Sequence, residues 1–178
     1  SQTIKGQLED KMSSVADIES LRFPRFSAPR ENVPVLELTK NVTYHGGFTL
    51  AGSKIMGYSD GQTSELIIYK NNSKVKVLRA LKNSITFNLP EKMSSSDAKV
   101  SLYFDEDSIY HPSINLFYNV ADNSIKLVRG EGSLSQSNFT NSYHQMDFNV
   151  DVIDWNLDED LIYLSTISSS GLKAAKFE

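Results

Sequence analysis

From Val35 to about Ile167 the chain alternates apolar and polar residues with a period of two. Leu36, Leu38, Val42 and Tyr44 share one parity, and Glu37, Thr39, Asn41, Thr43 and His45 the other. Ile85, Phe87 and Leu89 interleave with Thr86 and Asn88, and Phe148, Val150 and Val152 with Asp147, Asn149 and Asp151. Successive side chains of a strand point to opposite faces, so the pattern predicts many half-buried strands, each laying one face on a core. They fall at about 35–45, 47–57, 64–70, 74–81, 84–89, 98–104, 108–111, 113–119, 124–129, 142–153 and 160–167. Turn chemistry separates them at Gly46-Gly47, Ser59-Asp60-Gly61, Asn71-Asn72-Ser73, Asp105-Glu106-Asp107, Ala121-Asp122-Asn123 and Gly130-Glu131-Gly132. Short strands without helices between them predict an all-β fold, an antiparallel β-sandwich of jelly-roll type. A β-solenoid is the alternative, although its fixed rung length disagrees with these irregular gaps.

Residues 1–22 follow another rhythm. Ile4, Leu8, Met12, Val15, Ile18 and Leu21 recur at helical spacing and predict an N-terminal amphipathic helix that Pro24 ends. Residues 23–34 carry Pro24, Pro29 and Pro34 and predict an extended strap, poor in ladder bonds. The expected organisation is therefore a helical segment (1–22), a Pro-rich strap (23–34), a β-sandwich domain (35–167) and an exit segment (168–178) into a longer chain. Parity breaks near Val152-Ile153 and at Gly52 predict β-bulges. Ser94-Ser95-Ser96 and Ser168-Ser169-Ser170 read as loop segments.

Length and composition narrow this picture. A chain of 178 residues has room for one ordinary domain and a self-sufficient core. A formal charge of −4 with scattered basic residues argues against nucleic acid as a partner, because phosphate binding rests on clustered Lys and Arg. The nearest cluster, Lys74, Lys76, Arg79 and Lys82, is broken by Val75, Val77, Leu78, Ala80 and Leu81 and reads as the wet side of a strand. With no cysteine, disulfides and cysteine-based zinc sites or nucleophiles are excluded. The apolar runs are too short for a membrane span. The chain opens at Ser1 without a signal segment, and the expectation is a mature or excised piece of something longer.

Four groups of residues could carry chemistry. Gly57-Tyr58-Ser59-Asp60-Gly61 matches the nucleophile elbow, with His45-Gly46-Gly47 as an echo of an oxyanion loop. An elbow needs a helix after its serine, and Thr63 to Tyr69 reads as a strand, so the motif reads as a turn. Each of the three histidines follows a tyrosine, at Tyr44-His45, Tyr110-His111 and Tyr143-His144. A shared metal site would need all three to converge. Parity instead points His45 outward and His144 inward and leaves His111 at a strand end before Pro112. The acidic loops offer Asp105, Asp107, Asp158 and Asp160 as oxygens for a structural calcium, without the spacing of an EF-hand. Trp155, Tyr103 and Tyr69 are candidates for stacking on sugar rings, with Asp151 and Asn149 as hydrogen-bonding partners; Phe117 likewise sits off the core parity.

The stretches Leu38-Thr39-Lys40-Asn41-Val42-Thr43-Tyr44-His45-Gly46-Gly47-Phe48 and Asp107-Ser108-Ile109-Tyr110-His111-Pro112 resemble segments of very large, largely uncharacterised bacteroidete proteins. The resemblance implies an exported β module within a longer polypeptide, secreted or at the cell surface, and carries no catalytic or ligand residues with it. The expected function is non-catalytic: a structural or ligand-binding module whose partners are flanking domains and, as a first ligand, a polysaccharide. The enzyme alternatives are a glycoside hydrolase using Asp147 or Asp151, which needs two facing carboxylates, or a metal-dependent hydrolase using the histidines. An assembly module is the third class.

Overall fold

The computed structural model describes residues 3–11, 23–52, 54–71, 73–143, 145–168 and 171–174, with 168 and 171–174 described by their backbone alone. The fold is all-β, with 60% strand and no α-helix among the described residues. Two short 3-10 turns lie at Arg30–Asn32 and Ser133–Gln136. The first nine strands are β1 (Gln7–Glu9), β2 (Arg25–Ala28), β3 (Leu36–Thr39), β4 (Val42–His45), β5 (Phe48–Ala51), β6 (Lys54–Tyr58), β7 (Ser64–Tyr69), β8 (Lys76–Lys82) and β9 (Ser84–Asn88). A long hairpin follows, β10 (Lys92–Phe104) with β11 (Asp107–Asn119). The rest are β12 (Ser124–Val128), β13 (Phe139–Asn141), β14 (Met146–Phe148), β15 (Val152–Asn156), β16 (Ile162–Ser168) and β17 (Gly171–Ala174).

All described pairings are antiparallel and belong to one continuous network, so the parallel rungs of a solenoid are absent among them. The β10/β11 hairpin is its spine. Residues 92–94 of β10 pair with β9, which leads through β6, β5 and β2 to β1. Residues 99–102 of the same strand pair instead with β8, which leads through β7 and β4 to β3. β11 divides likewise: 109–110 pair with β13 and so to β14, while 115–119 pair with β12, then β15, β16 and β17. Two wings therefore part at mid-hairpin, where the register slips between Ser95 and Ala98 and again between Ala98 and Val100. Asp97 at φ 51° sits in the slip. Opposite lies Pro112, which has no N–H to give to a ladder.

One core serves both wings. Val42, Tyr44, Leu66, Ile68 and Leu78 from one cluster with Ile85, Phe87, Leu116, Ile125 and Trp155 from the other. Burying each such side chain contributes roughly 1.5–3 kcal/mol. Tyr44 meets Phe87 edge-on with ring centroids 5.1 Å apart, and Phe104 lies 5.1 Å from Trp155. At the rim, Asn123 Nδ2 donates to Asn71 Oδ1 (2.8 Å) and Asp158 Oδ1 (2.9 Å), while its Oδ1 accepts from the Tyr118 hydroxyl (2.9 Å).

Several expectations are corrected. Among the described residues there is no N-terminal helix: Gln7–Glu9 is a strand, and residues 12–22 of the expected helix lie outside the described residues. Leu8, a member of the expected apolar stripe, faces Phe26 in the ladder and is 71% exposed. An open edge on β2 offers hydrogen bonds that outweigh a helical rhythm already weakened by Gly6. The strap is extended but not poor in ladder bonds, since β2 pairs on both sides and its prolines stand outside it. The expected bulge at Gly52 is the turn of a hairpin, with Ala51 opposite Lys54. The span 35–45 is likewise two strands, with Thr39 opposite Val42. Val152 and Ile153 pair on both sides without a register shift, so the parity break there is two faces both buried, not a bulge. Ser94 and Ser95, expected in a loop, are laddered within β10. The span 142–153 contains three separate pieces, with β14 and the start of β15 apart and its first residues in a turn.

Candidate binding cleft

The sheet's outer face carries a cross-strand row, Gln7 opposite Ser27 and Ser27 opposite Thr49. Directly opposed residues share a face, so these polar side chains form a floor across β1, β2 and β5. Two segments overhang it, the turn around Arg30–Asn32 and the loop 58–62, and they enclose a cleft of about 680 Å³. That is within the usual range for small-ligand pockets. Thr49 and Ser59 line it and are buried, 3% and 2% exposed. Lys5, Arg25 and Arg30 contribute cations to its walls and Glu31 and Asp60 two carboxylates, with Tyr58, Asn32 and Gln62 as neutral polar neighbours.

The overhangs are fixed from below. Arg30 Nη1 donates to the Thr63 carbonyl at 2.7 Å, and Nη2 lies 3.2 Å from His45 Nδ1. Since a guanidinium only donates, His45 accepts at Nδ1. Arg30 thus clamps its own turn to the next loop, whereas Arg25 and Lys5 form no ion pair with any described residue.

Beneath the loop lies a closed ring of hydrogen bonds. Gly47 N–H donates to Ser59 Oγ (2.8 Å), Ser59 Oγ is 2.9 Å from Ser64 Oγ, and Ser64 Oγ is 2.9 Å from the Tyr44 hydroxyl. The Tyr44 hydroxyl donates to the Gly47 carbonyl at 2.6 Å. A phenol has one proton and a carbonyl cannot donate, so each hydroxyl donates once around the ring. Burial pushes the Tyr44 hydroxyl above the ordinary tyrosine value, which keeps that proton in place. Ser59, the centre of the elbow-like motif, is therefore a fastening inside a turn, with no histidine among its hydrogen-bond partners. A Cβ on Gly47 would collide with the Tyr58 carbonyl oxygen, so only glycine permits this approach.

The residues singled out from sequence lie elsewhere and apart. Trp155 is 7% exposed, with Nε1 donating to the Glu159 carbonyl (3.3 Å), so its ring presents no open face. Tyr103 carries the Lys76 ammonium over its ring at 4.5 Å, and the Tyr69 hydroxyl is 3.4 Å from Thr43 Oγ1. Asp151 lies 3.5 Å from Arg129 Nε and accepts from Ile167 N–H at 2.7 Å, while Asn149 is exposed just before core Val150. Asp107 accepts from Ser142 Oγ (3.2 Å) beside the turn holding Asp105; Asp158 accepts from two asparagines, and Asp160 is exposed. Among the described residues no group of three or more His, Asp or Glu is gathered around one point.

His111 is not at a strand end but inside β11, 1% exposed. Its Nδ1 accepts from Ser113 N–H (3.1 Å), which places the proton on Nε2, 3.0 Å from the Ser137 carbonyl. Its ring packs against Phe139, with centroids 4.5 Å apart and planes tilted by 50°. Burial is the main cause that pulls its pKa below the ordinary imidazole value. His144 lies outside the described residues.

Sequence reasoning passed over Lys5, Arg25 and Arg30, since they stand in segments read as helix and strap. The only signal was the Pro-Arg and Arg-Phe pairs around β2, which is too weak to name a site. No protein-family model, no curated protein and no solved structure matches this chain.

Proposed function

We propose that the chain is a non-catalytic, ligand-binding β module of a larger exported or surface protein, its two wings acting as the layers of a bent β-sandwich. Its cleft takes an anionic ligand, with an acidic carbohydrate as the first choice. The observation behind this reading is the cleft's lining: three cations against two carboxylates, over a floor of hydroxyls and amides, in a chain whose net charge is −4. Arg25 and Lys5 are free to pair with carboxylates, and the neutral polar groups suit sugar hydroxyls. Leu161, Tyr163 and Ile167, exposed at alternate positions of β16 and its approach, offer a face to a flanking domain of the longer chain.

Titration calorimetry of the full chain with a trimer of galacturonic acid and a trimer of glucose tests the reading. The acidic trimer binds and the neutral one does not. Arg25→Gln weakens binding about tenfold, equivalent to about 1.4 kcal/mol, and added salt weakens it further. Equal binding of both sugars, or binding indifferent to Arg25→Gln, would overturn it.

A further inference from the structure

A second hollow, of about 320 Å³, borders the same loop from its far side, and Thr63, Lys82, Asn83 and Lys99 line it. Successive residues of one loop line the two depressions, Gln62 the first and Thr63 the second. The divide is held in place, since Thr63 O accepts from Arg30 at 2.7 Å and Ser59 N–H donates to the Asn83 carbonyl at 2.9 Å. Lys82 lies opposite Ser64 across β7 and β8, and Lys99 opposite Leu81 across β8 and β10, so the two lysines stand on adjacent strands and opposite faces, and both line the hollow. Neither forms an ion pair with a described residue; Lys82 Nζ donates only to the Asp97 carbonyl (3.2 Å).

From this adjacency we propose that the protein binds a linear polyanionic polysaccharide that runs from the Lys5/Arg25/Arg30 cleft over the 62–63 divide onto Lys82 and Lys99. This rests on the anionic-carbohydrate reading of the cleft and extends it from a single acidic sugar to a chain. The mixed lining favours polysaccharide over nucleic acid. Glu31 and Asp60 stand among the cations as acceptors for hydroxyl groups, which a sugar chain carries on every ring and a DNA backbone lacks. Asn83 and Thr63 repeat in the second hollow the neutral polar lining of the first.

The test compares a galacturonate trimer and octamer on the full chain and on the Lys82→Gln/Lys99→Gln double variant. Lys99 is exposed and Lys82 half-buried, and an unchanged thermal melt confirms that the variant is folded. The octamer binds at least about tenfold more tightly than the trimer, beyond the several-fold that extra sliding registers supply. The double variant removes that advantage and leaves trimer binding unchanged. The octamer's affinity also falls more steeply with salt. A trimer that binds as well as the octamer, or a length advantage untouched in the variant, overturns this inference while the cleft reading stands. Failure of both oligomers to bind overturns both. Tighter binding of a single-stranded DNA octamer than of the galacturonate octamer replaces the polysaccharide with nucleic acid.

Discussion

Tyr44 shows how much one side chain does here. Its ring fills the core against Phe87 while its hydroxyl closes the ring through Gly47, Ser59 and Ser64 beneath the cleft. Tyr44→Phe keeps the packing but strands the Gly47 carbonyl and one Ser64 bond. The expected cost is about 1–3 kcal/mol in equilibrium denaturation, the penalty for a buried polar group without a partner. The parity of Leu36, Val42 and Tyr44 made Tyr44's inward direction legible in the sequence. Its hydroxyl partners were not, because Ser59 and Ser64 are brought to it by a loop closure that no local pattern encodes. Trp155 teaches the converse: as the only tryptophan it invited a binding role, and packing against Phe104 claimed it for the core.

At the scale of elements, β11 and β13 are fastened through His111 and Arg129. Arg129 Nη1 and His111 Nε2 both meet the Ser137 carbonyl, at 2.9 and 3.0 Å, and the His111 ring packs at a tilt against Phe139. Protonation would cost His111 its Nδ1 acceptor and set a second cation beside Arg129. In the folded state its pKa is lowered by burial, so below about 6.5 the unfolded chain binds the proton more readily. The stability His111 contributes is full above that pH and is lost as pH falls toward the folded value. Thermal melts from neutral to mildly acidic pH should show Tm falling, with a smaller fall in His111→Asn. An equal fall in the variant would remove His111 from the account. Element boundaries explain the misread strands. At Gly52 a hairpin that pairs Ala51 with Lys54 reverses parity and mimics a bulge, whereas in 36–45 a register shift restores parity and hides the turn altogether.

For the molecule as a whole, neither wing has a core of its own, because the buried cluster draws on both and the spine strands belong to both. Trp155 fluorescence and far-UV circular dichroism should therefore lose their native signals at one denaturant concentration, the mark of a single cooperative unit. Two separate midpoints would show that the wings unfold independently.

The sequence by itself determined the class: a period of two over most of its length leaves no way to bury the apolar residues except on the inner faces of sheets. It also determined the composition of those faces, since Leu36, Tyr44, Ile85 and Phe87 lie inward as their parity requires. Tertiary structure decided which strands are neighbours, where the hairpin's register slips, and that Gln7–Glu9 and part of the strap become paired strands beside a cleft. Pairing partners and clefts arise from residues far apart in the chain, and hydrogen-bond satisfaction at an open edge outweighs the local rhythm that would have predicted otherwise.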